Sequence, residues 1–158
     1  MFSKEKNSDI IKDMLICNYN KYYRIAYKYL GNREDALDAV QEGAYKAVYN
    51  AGKLRQKEFA DAWICKIVIN KSIDILRRRQ GFDFEIAEKS AGIEDTYEDL
   101  DLRRRIDTLP EKDKAVILLR YFEDMTLEQI SLCLGENMST VKSRLYRTLK
   151  KLKISLTL

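Results

Sequence analysis

The apolar positions in the C-terminal part of the chain recur every three or four residues on both sides of Gly135. This spacing places them on one face of a helix, so it predicts two helices joined by a tight turn. Thr126 and Gln129 have the form of a capping box at the start of the first helix. Gly135 suits a left-handed cap at its end, and Ser139 or Thr140 is expected to cap the second helix. The apolar positions are Leu127, Ile130, Leu134, Val141, Leu145, Leu149 and Leu152.

The second of these helices is strongly basic. Residues 139–153 contain no acidic residue, and a short helix, a turn and a basic second helix are what a helix-turn-helix needs to enter the DNA major groove. A charge run alone is usually only a solvated surface. Here the turn, the caps and the one-sided charge occur together, so we predict DNA binding. The face opposite the apolar stripe holds Thr140, Lys142, Ser143, Arg144, Tyr146 and Arg147.

The rest of the chain predicts an all-α fold of two small helical domains. Strand-like alternation is missing, and the sequence has one proline and six glycines. The first domain is expected over 9–80, with one helix ending near Gly31, another starting at Glu34 and Asp35, and a third over 62–79. The second domain is expected over 102–158, with a helix starting at Pro110.

An acidic segment separates the two domains. Residues 81–101 contain eight acidic residues and one lysine, a net charge of −7, so the rest of the chain carries +11 against the overall +4. We interpret 81–101 as a flexible acidic linker, with room for a short helix near 97–102. Basic blocks on both sides of a solvated connector are typical of two units that face nucleic acid.

Composition argues against several other functions. The chain has no histidine, which removes the commonest general acid–base group and metal ligand. Its cysteines, Cys17, Cys65 and Cys133, lack zinc spacing and are expected to be small buried thiols in a reducing cytoplasm. No apolar run reaches membrane-spanning length and no signal peptide is visible, so we expect a cytoplasmic protein without cofactor, bound metal or membrane insertion.

Three stretches, taken together, resemble bacterial RNA polymerase sigma factors. DALDAVQEGAYKAVYN (35–50) resembles their polymerase-binding segment, and FADAWICKIVINKSIDILRRR (59–79) resembles the segment that handles the −10 element. LPEKDKAVILLRYFEDMTLEQISLCLGENMSTVKSRLYRTLKKL (109–152) resembles their −35-binding domain. Two such domains with none between them is the layout of the extracytoplasmic-function (ECF) group of the sigma-70 family.

The resemblance implies roles for residues of the first domain. The "D-A-x-D-x-V-Q-E" pattern implies docking on the clamp helices of the polymerase β′ subunit, and an acidic, amide-bearing face suits an arginine-rich partner. Acids at a helix start that merely complement the helix dipole are the alternative. Trp63 suits either the core or a stacking platform. The implied docking residues are Asp35, Asp38, Gln41 and Glu42, and the implied −10 residues are Phe59, Trp63, Asn70, Lys71, Arg77, Arg78 and Arg79.

In the family, the loop before the third helix (here 52–58) and the asparagine at Asn70 help to hold a −10 base flipped from the duplex. On the −35 side, the base-reading positions fall on Lys142, Ser143, Tyr146 and Arg147, whereas Thr140 and Arg144 face the DNA backbone. Several residues depart from the family pattern, and Leu37 and Ala39 swap its usual charged and bulky apolar positions. Gly43 and Ala44 predict looser packing of their helix, Ser131 replaces an alanine, and Glu136 predicts a more exposed or differently packed turn.

These observations predict an alternative sigma factor, a non-catalytic protein that is expected to be a monomer. Its expected partners are core RNA polymerase (β′ clamp helices and β subunit), promoter DNA and a cognate anti-sigma factor, with no small-molecule substrate. The alternative is a dimeric helix-turn-helix regulator that binds an operator on its own. An enzyme using Asp35 and Asp38 as acid and base or as metal ligands is a third possibility, but the sequence lacks histidine and a glycine-rich phosphate loop.

Overall fold

The structure, a computed structural model, describes residues 4–82 and 97–156. The chain forms two compact units, Met1–Phe84 and Glu85–Leu158. In both described ranges the regular elements are helices, which confirms the predicted all-α class. No helix in these ranges has the length and apolarity needed to cross a bilayer.

Residues 4–82 of the first unit form four helices and two short 3₁₀ turns. Helix α3 packs against α2 and α4, and α1 lies across the segment that joins α3 to α4. The core is formed by apolar side chains from all four helices, including Ile11, Tyr22, Val40 and Ile64. The elements are α1 (Lys4–Cys17), α2 (Tyr19–Leu30), α3 (Arg33–Tyr49), the turns Ala51–Lys53 and Lys57–Phe59, and α4 (Ala60–Phe82).

The corner between α2 and α3 forms where the sequence predicts a helix end. Gly31 has φ of 74°, a left-handed conformation that suits glycine, and its N–H donates to the carbonyl of Tyr27. Asn32 then caps α3, because its side-chain oxygen accepts a hydrogen bond of 2.9 Å from the Asp35 N–H. The side chain of Arg79, on α4, donates to the Leu30 carbonyl at 2.9 Å and fixes the end of α4 to this corner.

Three features of this unit differ from expectation. Helix α1 was not predicted; it begins at Lys4, ahead of residue 9, where the first domain was expected to begin. Cys17 is exposed, so the prediction of three buried thiols is wrong for this residue, although Cys65 and Cys133 are buried. The prediction of looser packing at Gly43 is also wrong. A Cβ there would lie 3.2 Å from Cγ2 of Val68, so glycine allows α3 to approach α4 closely.

The described part of the second unit, 97–156, contains four more helices: α5 (Tyr97–Asp107), α6 (Glu111–Ile117), α7 (Leu127–Leu134) and α8 (Met138–Leu156). A π-helical turn, Leu118–Phe122, continues α6. Most of the predicted acidic linker, residues 83–96, lies outside the described residues. Its last part, 97–101, belongs to α5, near the place where a short helix was allowed for.

The helix-turn-helix forms much as its local sequence predicts. Thr126 and Gln129 make both hydrogen bonds of the capping box, and Gly135 ends α7 with φ of 68°. The Ser131 hydroxyl donates to the Glu136 carbonyl and so closes the turn from inside. The predicted cap of α8 is wrong, because Asn137 takes that role: its side-chain oxygen accepts 2.9 Å hydrogen bonds from the Thr140 N–H and the Ser139 hydroxyl.

Candidate nucleic-acid and protein interfaces

Helix α8 buries one face and exposes the opposite face. Val141 and Thr148 are fully buried and Leu145 nearly so. Successive helical residues are rotated by about 100°, so Ser143 lies on the side opposite this buried face. The exposed side carries Lys142, Ser143, Tyr146 and Arg147, and Thr140 is half-buried at its edge. Lys150, one turn beyond Tyr146, is exposed and extends the same basic face, although it was not among the predicted −35 residues.

Arg144 differs from its neighbours because it is engaged inside the unit. Its guanidinium lies 2.9 Å from the carboxylate of Asp113, on the first turn of α6, and 3.3 Å from that of Glu136. The side chain of Arg144 is 18% exposed and that of Asp113 only 4%. Because two helices and the turn meet in these ion pairs, Arg144 fixes the orientation of α8. Its predicted contact with the DNA backbone stays a prediction.

Glu136, in the turn, is held by two basic residues. Lys112 contacts its carboxylate at 2.8 Å, and Arg144 approaches from α8. The side chain is 13% exposed, so the structure gives the differently packed turn that the sequence allowed. The hydrogen bond from Lys112, followed by the charge of Arg144, lowers the pKa of Glu136 below its ordinary value.

Replacing Glu136 with glutamine is expected to make the second unit less stable at neutral pH and less sensitive to acid. A carboxyl whose pKa is depressed by folding stabilises the protein fully above its unfolded pKa, near 4.5, and loses this contribution as the pH falls through the lower folded pKa. The difference between the wild-type chain and Glu136→Gln should therefore be constant from pH 7 to about 5 and shrink below that.

This difference in stability can be measured by hydrogen exchange of the α8 amides. Fluorescence is unsuitable for the second unit, since Trp63, the single tryptophan, lies in the first unit. Glu128→Gln, which changes an exposed glutamate on α7, is the matched control. It should leave the stability of the second unit and its dependence on acid nearly unchanged. If Glu136→Gln shows the same acid dependence as the wild-type chain, the lowered pKa of Glu136 does not contribute to stability.

The predicted −10 residues follow one another along α4. Trp63, Asn70 and Arg77 are seven residues apart and therefore share one face of the helix. Trp63 is half-buried, whereas Asn70, Arg77 and Arg78 are exposed. Phe59 stands in the turn just before α4 and is 38% exposed. Trp63 thus contributes to packing and leaves part of its ring accessible to a ligand, which fits both of its predicted roles.

Two of the predicted −10 cations contact predicted docking residues. The Lys71 ammonium lies 3.9 Å from the Glu42 carboxylate, on a part of the surface that is half exposed. Arg79 makes a shorter ion pair, 2.8 Å, with Asp35. Because Arg79 also bonds the Leu30 carbonyl, the structure gives it an internal partner at the α2–α3 corner.

The four predicted docking residues divide into two groups. Asp38, Gln41 and Glu42 are exposed on α3. Asp35 is instead tied to Asn32 and Arg79, and these contacts, first the Asn32 hydrogen bond and then the arginine, lower its pKa. Among the described residues, neither Asp35 nor Asp38 belongs to a group of three or more acidic or cysteine side chains that could hold a metal ion.

Two tyrosines that the sequence analysis did not select extend the exposed face of α3. Tyr45 and Tyr49 follow Gln41 at four-residue intervals, and their rings stack with centroids 6.2 Å apart. Tyr45 is 74% exposed and Tyr49 is 65% exposed. They line an open groove of about 450 Å³ whose other lining residues are Gln41, Glu42, Lys46, Asn50 and Lys71. The amphipathic spacing of α3 could have indicated this face.

Asp61, also missed by the sequence analysis, fixes the beginning of α4. Its carboxylate accepts a 2.6 Å contact from the Lys21 ammonium and a 2.7 Å hydrogen bond from the Tyr22 hydroxyl. Burial, and then this hydrogen bond, raise the pKa of Tyr22, so its hydroxyl remains a donor. Asp61 thereby ties α4 to α2 immediately after Phe59 and positions the start of the predicted −10 face.

Comparison with known proteins identifies the family. A family model described as "Sigma-70 region 2" matches residues 14–82, and one described as "Sigma-70, region 4" matches residues 99–152. RNA polymerase sigma factor SigV of Bacillus subtilis (strain 168) is 39% identical over 161 residues, covering 99% of this chain and 97% of that protein. The chain belongs to the sigma-70 family. This finding confirms the resemblance that the three sequence stretches indicated.

Other relatives support the ECF group. ECF RNA polymerase sigma factor SigW of the same Bacillus strain is 27% identical over 91% of this chain and 87% of its own length. The structure of the sigma factor RpoE in complex with the anti-sigma factor NepR from Bartonella quintana shares the fold. It has a TM-score of 0.68 and 19% identity over 93% of this chain and 96% of that chain. The protein is therefore an ECF-type sigma factor.

Proposed function

We propose that this sigma factor directs promoter-specific transcription initiation by binding core RNA polymerase and placing one unit on each of two promoter elements. The observation that carries the proposal is the presence of region 2 and region 4 in order, each with an exposed polar face at the predicted positions. A dimeric operator-binding regulator is not favoured, because its helix-turn-helix would not explain region 2.

Polymerase docking is assigned to the exposed part of α3. Asp38, Gln41 and Glu42 present acidic and amide groups, which suit the arginine-rich clamp helices of the β′ subunit. The aromatic surface of Tyr45 and Tyr49 continues this face and can receive guanidinium groups by cation–π contact. Asp35 contributes indirectly, because its contacts with Asn32 and Arg79 fix the first turn of the helix.

The −10 element is assigned to the segment 52–58 and the face of α4. A flipped base can stack on Phe59 or Trp63 and hydrogen-bond to Asn70, which recovers part of the stacking energy lost when the duplex opens. Lys71, Arg77 and Arg78 can neutralise phosphates in the same strand. Arg79 is assigned to the internal corner instead, because it pairs with Asp35.

The −35 element is assigned to α8. Lys142, Ser143, Tyr146 and Arg147 face away from the buried side of the helix and can reach base edges in the major groove. Thr140 and Lys150, on the same side, suit phosphate contacts. Arg144 is assigned to holding α8 against α6, because its guanidinium pairs with the buried carboxylate of Asp113.

Each unit offers few base contacts, so weak binding to isolated promoter DNA is expected until polymerase sets the spacing of the two units. The same exposed faces would be covered by a cognate anti-sigma factor, a partner supported by the Bartonella complex. These partners place the protein's action in the cytoplasm.

The direct test of this function is a pull-down of core RNA polymerase with the full chain, followed by transcription from DNA upstream of its own gene. Stable binding and a new, specific start site are expected. A chain that is dimeric, ignores polymerase and grips duplex DNA alone would contradict the proposal and favour the operator-binding regulator.

Arg147→Ala is expected to reduce transcription from promoters that need the −35 element by about 10-fold, the typical effect of losing one good base contact. Arg147 is 62% exposed and lies 3.7 Å from Asp113, so its removal should cost little stability. Polymerase binding should be retained. Arg104→Ala, which removes an equally charged exposed side chain from α5, is the control. Loss of polymerase binding together with transcription would contradict the assignment of α8.

A further inference from the structure

The segment between α3 and α4 is held in place by hydrogen bonds from α1. Its two anchors, Ala51 and Leu54, are buried, whereas residues 55–59 are exposed. The anchors stand at the two ends of the first 3₁₀ turn, Ala51–Lys53. A contact that fixes this turn therefore also fixes the position from which the exposed residues 55–59 start.

Asn7, on the first helix, makes this connection. Its side chain is buried, and its amide nitrogen donates to the Ala51 carbonyl at 3.0 Å and to the Leu54 carbonyl at 3.1 Å. A primary amide has two hydrogens on one nitrogen, so a single side chain can hold both carbonyls at once. Hydroxyl side chains have one such hydrogen and carboxylates have none.

Lys4, one turn earlier, covers the neighbouring surface. Its ammonium lies 5.3 Å from the centroid of the Tyr49 ring, at the end of α3. The aliphatic part of Lys4 passes within 3.9 Å of the place where a Cβ on Gly52 would lie. The first two turns of α1 therefore contact both the end of α3 and the turn that follows it.

We propose that Asn7 is a positioning residue that sets the specificity for the −10 element, with Lys4 in a supporting role. This inference rests on the proposed function, in which segment 52–58 holds a flipped base. Asn7 touches no DNA in this scheme. It keeps the segment in one arrangement before DNA binds, so the segment does not have to become ordered at the expense of binding energy when the base arrives.

Specificity depends on this arrangement more than affinity does. A pocket rejects the wrong base only while its polar groups are fixed at the positions that the correct base satisfies. A mobile segment can adapt to either base, so loosening it should lower the preference for the correct −10 sequence. The −35 contacts lie in the other unit and should keep their own preference.

The test uses the full chain with core polymerase and the chain's own promoter. The readout is the ratio of transcription from the intact promoter to that from single-base −10 variants, with the same ratio measured for −35 variants. Asn7→Asp keeps nearly the same shape but replaces the amide NH2, which donates to both carbonyls, with a carboxylate oxygen, which can only accept. It is expected to lower the −10 ratio about 5- to 10-fold and to leave the −35 ratio and polymerase binding unchanged. Asp9→Asn, the reverse exchange at an exposed position of the same helix, should change neither ratio.

Lys4→Ala is a second test variant in case Asn7→Asp does not fold. Lys4 is exposed, so its replacement disturbs no buried group. It is expected to lower the −10 ratio about 2-fold, with Trp63 fluorescence reporting that the unit is folded. Unchanged −10 ratios in Lys4→Ala and in any folded Asn7 variant would overturn the inference, and so would equal losses in the −10 and −35 ratios. A wild-type chain that neither binds polymerase nor initiates would instead overturn the proposed function.

Discussion

Arg144→Ala is expected to destabilise the second unit by about 3 kcal/mol, which is typical of removing one partner from a buried ion pair. The substitution leaves the Asp113 carboxylate, whose side chain is 4% exposed, with only the more distant Arg147 at 3.7 Å. It also removes one of the two cations that hold Glu136. The resistance of the α8 amides to hydrogen exchange should fall accordingly, while Trp63 fluorescence continues to report a folded first unit.

Lys142→Ala is the matched control, because it removes an exposed cation from the same helix and should leave the exchange rates nearly unchanged. Adding Asp113→Asn to Arg144→Ala should recover part of the lost stability, since no buried charge is then left poorly paired. If Arg144→Ala keeps the stability of the wild-type chain and loses only promoter binding, Arg144 contacts DNA and does not position α8.

The ion pair of Arg144 with Asp113 illustrates which parts of the second unit the sequence could predict and which it could not. The capping box at Thr126 and the left-handed Gly135 depend on neighbouring residues, and both are confirmed. Arg144 lies beside the exposed face of α8, so periodicity suggested a DNA contact. Its partner Asp113 lies on another helix, 31 residues away. Pairing of this kind depends on how helices pack, which local patterns do not contain.

The first unit shows the same division. The Gly31 cap was predictable from local sequence, whereas α1 was not recognised because its face toward the protein includes a buried amide, Asn7. The Gly43 prediction failed for a related reason. The sequence shows that Gly43 has no side chain to pack, but it does not show how close the neighbouring helix lies. In the structure, α4 occupies the space that a side chain at Gly43 would need.

The sequence predicted which polar residues of α3 are exposed better than it predicted their contacts inside the fold. On α3 the sequence selected four docking residues, and the structure leaves Asp38, Gln41 and Glu42 exposed while tying Asp35 to the α2–α3 corner. Exposed polar positions follow directly from helical periodicity. Whether an acid at such a position serves a partner or the fold depends on a cation elsewhere in the chain, here Arg79.

Because Asp38 and Gln41 are exposed, their removal tests docking without disturbing the fold. The double variant Asp38→Ala with Gln41→Ala is expected to weaken binding to core RNA polymerase by about 10- to 100-fold, equivalent to about 1.4 to 2.8 kcal/mol. The fold should remain intact, because alanine favours helix at exposed positions. Affinity can be measured with a dye on Cys17, the exposed cysteine.

The control for this experiment is Asp13→Ala with Asn20→Ala, which removes an exposed carboxylate and an exposed amide from α1 and α2. The control removes the same charge and the same kinds of polar group, so it corrects for any general effect of net charge on association. Equal affinities for the docking variant and the control would exclude the exposed face of α3 from the polymerase interface. A loss confined to the docking variant, with −10 and −35 preferences kept by the complexes that still form, would separate polymerase docking from promoter reading.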